Sequence, residues 1–128
     1  MNTRRLFNTS AIVEILTGLA LLVVPSLVIR LLLGEGLGLT GVAVARVLGV
    51  GLLALGVAAW ETPPQMIRLA PRVGICIYNV GTAVLLMILG VFDGLNGALL
   101  WPTAVLHGLL GAAMLWVMLA PSRPSGDP

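Results

Sequence analysis

Between residues 41 and 60 the chain runs GVAVARVLGVGLLALGVAAW, in which Arg46 is the one charged side chain. This stretch has the length of roughly 20 apolar residues that an α-helix needs to cross the hydrocarbon core of a bilayer. Its apolar residues are continuous rather than alternating, which favours a helix over a strand. Glu-Thr-Pro-Pro follows at 61–64 and contains residues that end helices. We therefore interpret residues 41–60 as a transmembrane helix.

Three further apolar runs of similar length flank this one, and Gly-, Pro- and Asp-containing turns separate them. The four predicted spans cover residues 10–33, 41–60, 72–92 and 98–119. Pro25 lies inside the first span and predicts a kink there, because proline cannot donate a helical hydrogen bond. The predicted fold class is all-α, a polytopic bundle of four transmembrane helices over residues 1–120. A disordered cytoplasmic tail is expected at residues 121–128.

The composition supports lipid as the solvent for most of the chain. Hydrophobic residues make up 59% of the 128 residues and charged residues 9%, whereas soluble domains carry about 25% charged residues. The net charge of +2 gives no reason to expect a nucleic-acid partner. One cysteine and one histidine supply neither an internal disulfide nor a Cys/His metal cluster. We accordingly predict no metal and no cofactor, and we expect any site to lie within the bundle.

The basic residues, all arginine, predict the orientation of the bundle. If the N-terminus is cytoplasmic, the inner side carries Arg4, Arg5, Arg68, Arg72 and Arg123, and the outer side carries Arg30 and Arg46. An excess of arginine marks cytoplasmic segments. We therefore predict a multi-pass protein of the cell inner (plasma) membrane with both termini in the cytoplasm.

Five polar side chains within the spans are candidates for a site: Glu14, Arg46, Tyr78, Asn79 and His107. Such groups are costly in lipid and usually face the bundle interior. At 1.5 Å per residue, Glu14 is predicted roughly 6 Å and the Tyr78–Asn79 pair roughly 10 Å from the inner ends of their helices. Arg46 and His107 are predicted roughly 20 and 18 Å from the inner face. We expect Arg46, Tyr78, Asn79 and His107 to bind the polar end of a ligand between the second, third and fourth predicted helices.

Each of these residues also has a structural interpretation. Arg46 can snorkel to the outer interface along its long stem. His107 and the Tyr78–Asn79 pair can form hydrogen bonds that join helices, as polar side chains do in membranes. Glu14 can be a first-turn carboxylate near water, favoured by the helix dipole, rather than a proton-coupling group.

Several of these residues resemble motifs of the small four-helix DoxX-like membrane proteins. The run from Ala45 to Gly56, with Arg46 and Gly49, is similar to the second helix of that group. The Tyr78–Asn79 pair, and Trp101-Pro102 followed by His107, resemble signatures of an uncharacterised branch. The resemblance implies a four-helix bundle linked to quinones, redox partners or other lipophilic ligands. Glu14 is also similar to the helix 1 glutamate of small multidrug resistance exporters, although the chain has only one Tyr and two Phe to surround a cationic drug.

Four functions follow as hypotheses. The first two are a membrane protein that binds a lipophilic small molecule such as a quinone, and an accessory subunit that contacts another membrane protein or a second copy of itself. The alternatives are a proton-coupled exporter that uses Glu14 and an enzyme that uses His107 as acid or base. The motif-poor sequence favours a protein that is not an enzyme on its own.

Overall fold

A computed structural model describes residues 3–60 and 69–120 of the chain. These residues form five α-helices and no strand: α1 Thr3–Val23, α2 Pro25–Leu33, α3 Leu39–Ala59, α4 Leu69–Val91 and α5 Leu100–Leu119. Within the described ranges, four helices (α1, α3, α4 and α5) are long and apolar enough to cross a membrane. The predicted fold class, an all-α bundle of four transmembrane helices, is confirmed. The predicted tail at 121–128 lies outside the described residues, as do Arg68 and Arg123.

The first predicted span differs most from the structure. Its helix begins at Thr3 rather than near residue 10, and the run divides at Val24 into two helices. Pro25 occupies the first turn of α2. Backbone N–H groups in a first turn have no intrahelical acceptor, so the missing N–H of proline removes no hydrogen bond there. The kink predicted at Pro25 takes the form of a one-residue interruption at Val24 (φ −130°, ψ 53°), after which the nine residues of α2 run to Gly34. Gly34 ends α2 in the left-handed conformation (φ 84°), which glycine adopts without steric cost.

Two antiparallel helix pairs build the bundle, and small residues set their spacing. In the first pair, a Cβ atom added to Gly18 of α1 would lie 2.7 Å from the carbonyl oxygen of Gly49 of α3. In the second pair, a Cβ atom added to Gly111 of α5 would lie 2.8 Å from a methyl carbon of Val80 of α4. Small residues allow this close approach. Van der Waals packing between the helices then supplies the attraction in lipid, where the hydrophobic effect does not draw helices together.

The interior of the bundle is narrow and most large apolar side chains face outward. A core cluster around Phe7, Ile75 and Met114, each 0% exposed, closes the end at which α1 begins. Many leucines and valines on the outer faces are more than 40% exposed, among them Val47 at 72% and Leu109 at 68%. Soluble monomers rarely expose apolar surface on this scale, whereas lipid solvates it.

The short helix α2 lies against the opposite end of the bundle and is held there by backbone contacts. The N–H of Leu99 donates a hydrogen bond of 2.7 Å to the carbonyl oxygen of Leu31. Gly97 lies so close to the backbone of Leu32 that a side chain at Gly97 would overlap the Leu32 carbonyl group. These contacts fix α2 against the turn between α4 and α5, and they place it over the cavity described below.

Candidate functional site

Three helices bring buried polar side chains to one level inside the bundle. Ser10 and Glu14 lie one turn apart on α1, Asn79 lies on α4 and His107 on α5. Ser10, Glu14 and Asn79 are 0% exposed and His107 is 4% exposed. These four residues are referred to below as the polar cluster.

Asn79 is the centre of the polar cluster. Its amide nitrogen Nδ2 donates to Ser10 Oγ at 2.8 Å and to the backbone carbonyl oxygen of Ile75 at 2.8 Å. Its amide oxygen Oδ1 lies 2.9 Å from Nδ1 of His107. Asn79 therefore connects α4 to both α1 and α5, and each polar atom of its side chain has a partner. Buried polar groups need such partners, because leaving them unsatisfied is costly.

Glu14 is different, because neither of its carboxyl oxygens makes a hydrogen bond within residues 3–60 and 69–120. Oε1 lies 3.9 Å from Nδ1 of His107, which is longer than a hydrogen bond. The side chain of Tyr78 lies beside the same carboxyl group without forming a bond of normal geometry to it. An ionisable group buried in this way is more often functional than structural in a membrane protein.

Tyr78 lies between the polar cluster and a cavity. Its ring contacts the imidazole of His107 edge to face, with ring centroids 5.7 Å apart and planes at 80°. This is the T-shaped geometry that aromatic rings prefer. Tyr78 and His107 both line the cavity, so the polar cluster forms one end of it.

The cavity has a volume of about 380 Å³ and is lined by all five helices. Most of its wall is apolar and includes Leu21, Leu52 and Leu86. The polar side chains that line it are Thr17, Tyr78, Thr82, Thr103 and His107. A largely apolar pocket of roughly 300–1,000 Å³ with a few converging polar groups is typical of small-molecule sites.

The structure brings four of the five predicted site residues together and separates the fifth. Tyr78, Asn79 and His107 meet as expected, and Glu14 joins them although the sequence placed it at a different depth from His107. Arg46 lies on an exposed face of α3 and does not line the cavity. Its predicted position beside His107 therefore has no counterpart in the structure, which favours the snorkelling interpretation. The cavity also extends beyond the second, third and fourth predicted helices, because α1 and α2 form much of its wall.

Sequence reasoning did not select the hydroxyl groups that complete the site. They belong to Ser10, Thr17, Thr82 and Thr103, and none of these residues is among the five candidates predicted from the sequence. One available signal was spacing, since Ser10, Glu14 and Thr17 follow one another at intervals of four and three residues on one helix face.

The chemistry open to this arrangement is hydrogen bonding and proton exchange. A carboxyl group, an imidazole and a phenol adjoin one another, and each can donate or accept a proton. Among the described residues, no three His, Cys, Asp or Glu side chains converge as metal ligands would.

Comparison with known proteins finds no family model, no curated protein and no solved structure that matches this chain.

Proposed function

We propose that this protein binds a lipophilic small molecule in the cavity between its helices, with the polar end of the molecule at Tyr78 and His107. The observation that supports the proposal best is the cavity itself, about 380 Å³ of largely apolar space ending at a buried polar cluster. The cavity opens at the lipid-facing surface between exposed leucines, among them Leu16 at 62% and Leu106 at 41%, so a lipophilic molecule can enter it from the bilayer.

The lining of the cavity defines the class of molecule. Leucine, valine and isoleucine side chains form the long walls, so most of the ligand must be hydrocarbon or aromatic. The polar side chains line the same cavity, and they give the ligand's head group its hydrogen bonds. Quinones and related ring compounds with an apolar tail have this character, and they are also the ligands that the resemblance to DoxX-like proteins implies.

Mass spectrometry of molecules that co-purify with the protein tests the proposal. Ala20 lines the cavity and is partly buried, so Ala20→Phe fills cavity space. Ala43→Phe is the matched control, because Ala43 is exposed on α3 and does not line the cavity. We expect one lipophilic compound to be enriched in wild type and in Ala43→Phe and to be reduced at least about tenfold in Ala20→Phe. The same bulk lipid in all three samples would contradict the proposal.

The proposal includes a location in the inner (plasma) membrane with both termini in the cytoplasm. Its support is the excess of arginine on the predicted inner side, where Arg4, Arg5 and Arg72 lie near the first residues of α1 and α4. Asp93 is exposed in the turn after α4. A membrane-impermeant maleimide should therefore label Asp93→Cys in intact cells. Wild type supplies the background, because its one cysteine is buried; labelling of Asp93→Cys only after the cells are opened would reverse the orientation.

A further inference from the structure

The side chain of Asn79 determines which nitrogen of His107 carries a proton. A backbone carbonyl oxygen only accepts hydrogen bonds, so the amide group of Asn79 must turn Nδ2, and not Oδ1, toward the oxygen of Ile75. Oδ1 then faces Nδ1 of His107 at 2.9 Å. Because Oδ1 also only accepts, Nδ1 must be the donor. The neutral imidazole is therefore held as the Nδ1–H tautomer.

The other ring nitrogen of His107, Nε2, is available to a ligand in the cavity. Nε2 makes no hydrogen bond to any residue in the described ranges, and His107 is part of the cavity wall. In the Nδ1–H tautomer, Nε2 carries a lone pair and accepts hydrogen bonds. The cavity consequently presents an acceptor at its polar end.

Glu14 does not compete with Asn79 for the proton on Nδ1. Its carboxyl oxygens make no hydrogen bond of normal geometry among the described residues, and Oε1 lies 3.9 Å from Nδ1, which is beyond hydrogen-bond range. The buried residues of α3 are alanine, glycine and leucine, so α3 contributes no charge to the cluster. The Nδ1–H tautomer of His107 therefore rests on the contact of Nδ1 with Asn79 Oδ1 at 2.9 Å.

The remaining polar groups of the cavity do not change the preference of His107 for the Nδ1–H tautomer. The hydroxyl groups of Thr17, Tyr78, Thr82 and Thr103 can each donate or accept. No arginine or lysine lines the cavity within the described residues, and Arg46 faces away from it. Among the polar side chains of the described wall, Nε2 of His107 only accepts, whereas each hydroxyl group can donate or accept.

We infer that the ligand is a protic lipophile, an alcohol or phenol on an apolar body, whose hydroxyl group donates to Nε2 of His107. This inference rests on the proposed function, because it assumes that the cavity is occupied. Of the quinone class named above, it selects the reduced quinol, which carries phenolic hydroxyl groups. It excludes oxidised quinones, ethers and esters of the same shape, which have no proton to give.

A pair of matched probes and a single-site spectrum test the inference. His107 is the only histidine of the chain, so protein labelled with ¹⁵N-histidine gives one pair of imidazole nitrogen resonances. The probes are 4-octylphenol and 4-octylanisole, which differ by a methyl group in place of the hydroxyl proton. The protein is reconstituted in lipid nanodiscs, and retention of each probe is measured by mass spectrometry in wild type, Ala20→Phe and Ala43→Phe.

The expected results are specific to each nitrogen. Without probe, Nδ1 should have the shift of a protonated nitrogen and Nε2 that of an unprotonated one. 4-Octylphenol should move the Nε2 resonance and leave Nδ1 in place, whereas 4-octylanisole should leave both unchanged. Wild type should retain the phenol at least about tenfold better than the anisole, because a buried acceptor left without its donor is costly. In Asn79→Leu the preference for the Nδ1–H tautomer should be lost.

The contrary results separate the two proposals. If wild type retains the phenol better than Ala20→Phe does but Nε2 is protonated or does not respond, the inference fails and the cavity still binds. If wild type retains the phenol and the anisole equally, and both better than Ala20→Phe does, the inference also fails and the cavity still binds. If neither probe is retained by wild type above the level of Ala20→Phe, the occupied cavity itself is refuted, and the inference fails with it.

Discussion

Replacing Gly49 with alanine tests whether backbone contact joins α1 to α3. A Cβ atom at this position would lie 2.8 Å from the carbonyl oxygen of Gly18, and ordinary contacts of Cβ atoms begin at 3.4 Å. The carbonyl belongs to the backbone of α1, so no flexible side chain can move aside. To restore an ordinary contact, the two helices would have to separate locally by about 0.6 Å, from 2.8 to 3.4 Å.

The cost of this separation can be isolated with a neighbouring glycine. Overfilling a packed interface destabilises a protein by roughly 1–3 kcal/mol. Alanine also raises helix propensity, by up to about 1 kcal/mol relative to glycine. Gly51 lies on the same helix, and a Cβ atom added to it would meet nothing within 4 Å, so Gly51→Ala gains the propensity without the clash. Gly49→Ala should therefore be less stable than Gly51→Ala by about 2 kcal/mol, roughly 30-fold in the unfolding equilibrium constant.

The assay is reversible unfolding in mixed micelles, with increasing sodium dodecyl sulfate and helicity followed by circular dichroism. Wild type, Gly49→Ala and Gly51→Ala are compared at the same micelle concentration. If Gly51→Ala loses as much stability as Gly49→Ala, or more, then the close approach of α1 and α3 is not what holds this pair together.

Three other substitutions have defined outcomes. Asn79→Leu removes one hydrogen bond to α1 and one to α5, and it should lower the unfolding free energy by about 1–3 kcal/mol in the same assay; a change below about 0.5 kcal/mol would show that these bonds do not join the helices. Gly97→Ala places a methyl group on the carbonyl of Leu32, so it should displace α2 and reduce retention of 4-octylphenol, whereas Gly36→Ala, with open space around it, should retain the probe like wild type. Equal retention by the two variants would show that α2 does not close the cavity. Arg46→Ala should also retain the probe like wild type, and a large loss would restore this residue to the site.

Much of the fold could be predicted from hydrophobicity alone. Four apolar runs of transmembrane length, separated by Gly, Pro and Asp, determine four long helices, and the structure contains them. The start of α1 could not be predicted this way, because residues 3–9 include two arginines and several polar residues. These residues are nevertheless helical, since Leu6 and Phe7 are buried in a core cluster with residues of α3, α4 and α5. Tertiary burial of two side chains extends a helix that local composition would end.

The position of the helix start explains the error in depth for Glu14. Counting from Ser10 placed Glu14 roughly 6 Å from the inner end, whereas α1 begins at Thr3. Counted from the first residues of α1 and α4 and the last residue of α5, Glu14, Asn79 and His107 lie about 17, 15 and 18 Å along their helices. The three side chains are therefore at one level, which is why they meet.

The direction of Arg46 could not be predicted, because depth does not determine which way a side chain faces. Arg46 lies about 20 Å from the last residue of α3, close to the level of the polar cluster. However, α3 is apolar on all sides, so its sequence has no periodic pattern that would distinguish a buried face from a lipid face. Gly49 and Gly56 pack against α1, and this packing determines the rotation of α3 and turns Arg46 outward.

The occupancy of the cavity beside Tyr78 and His107 by a lipophilic molecule is tested most directly by locating such a molecule. Crystals grown from a lipid phase and soaked with a brominated alkylphenol would reveal each bound probe by the anomalous scattering of bromine. We expect a bromine peak enclosed by Leu52, Leu86 and His107, which line the cavity. Bromine found only against outward-facing side chains such as Val47 and Leu109 would contradict a ligand site inside the bundle.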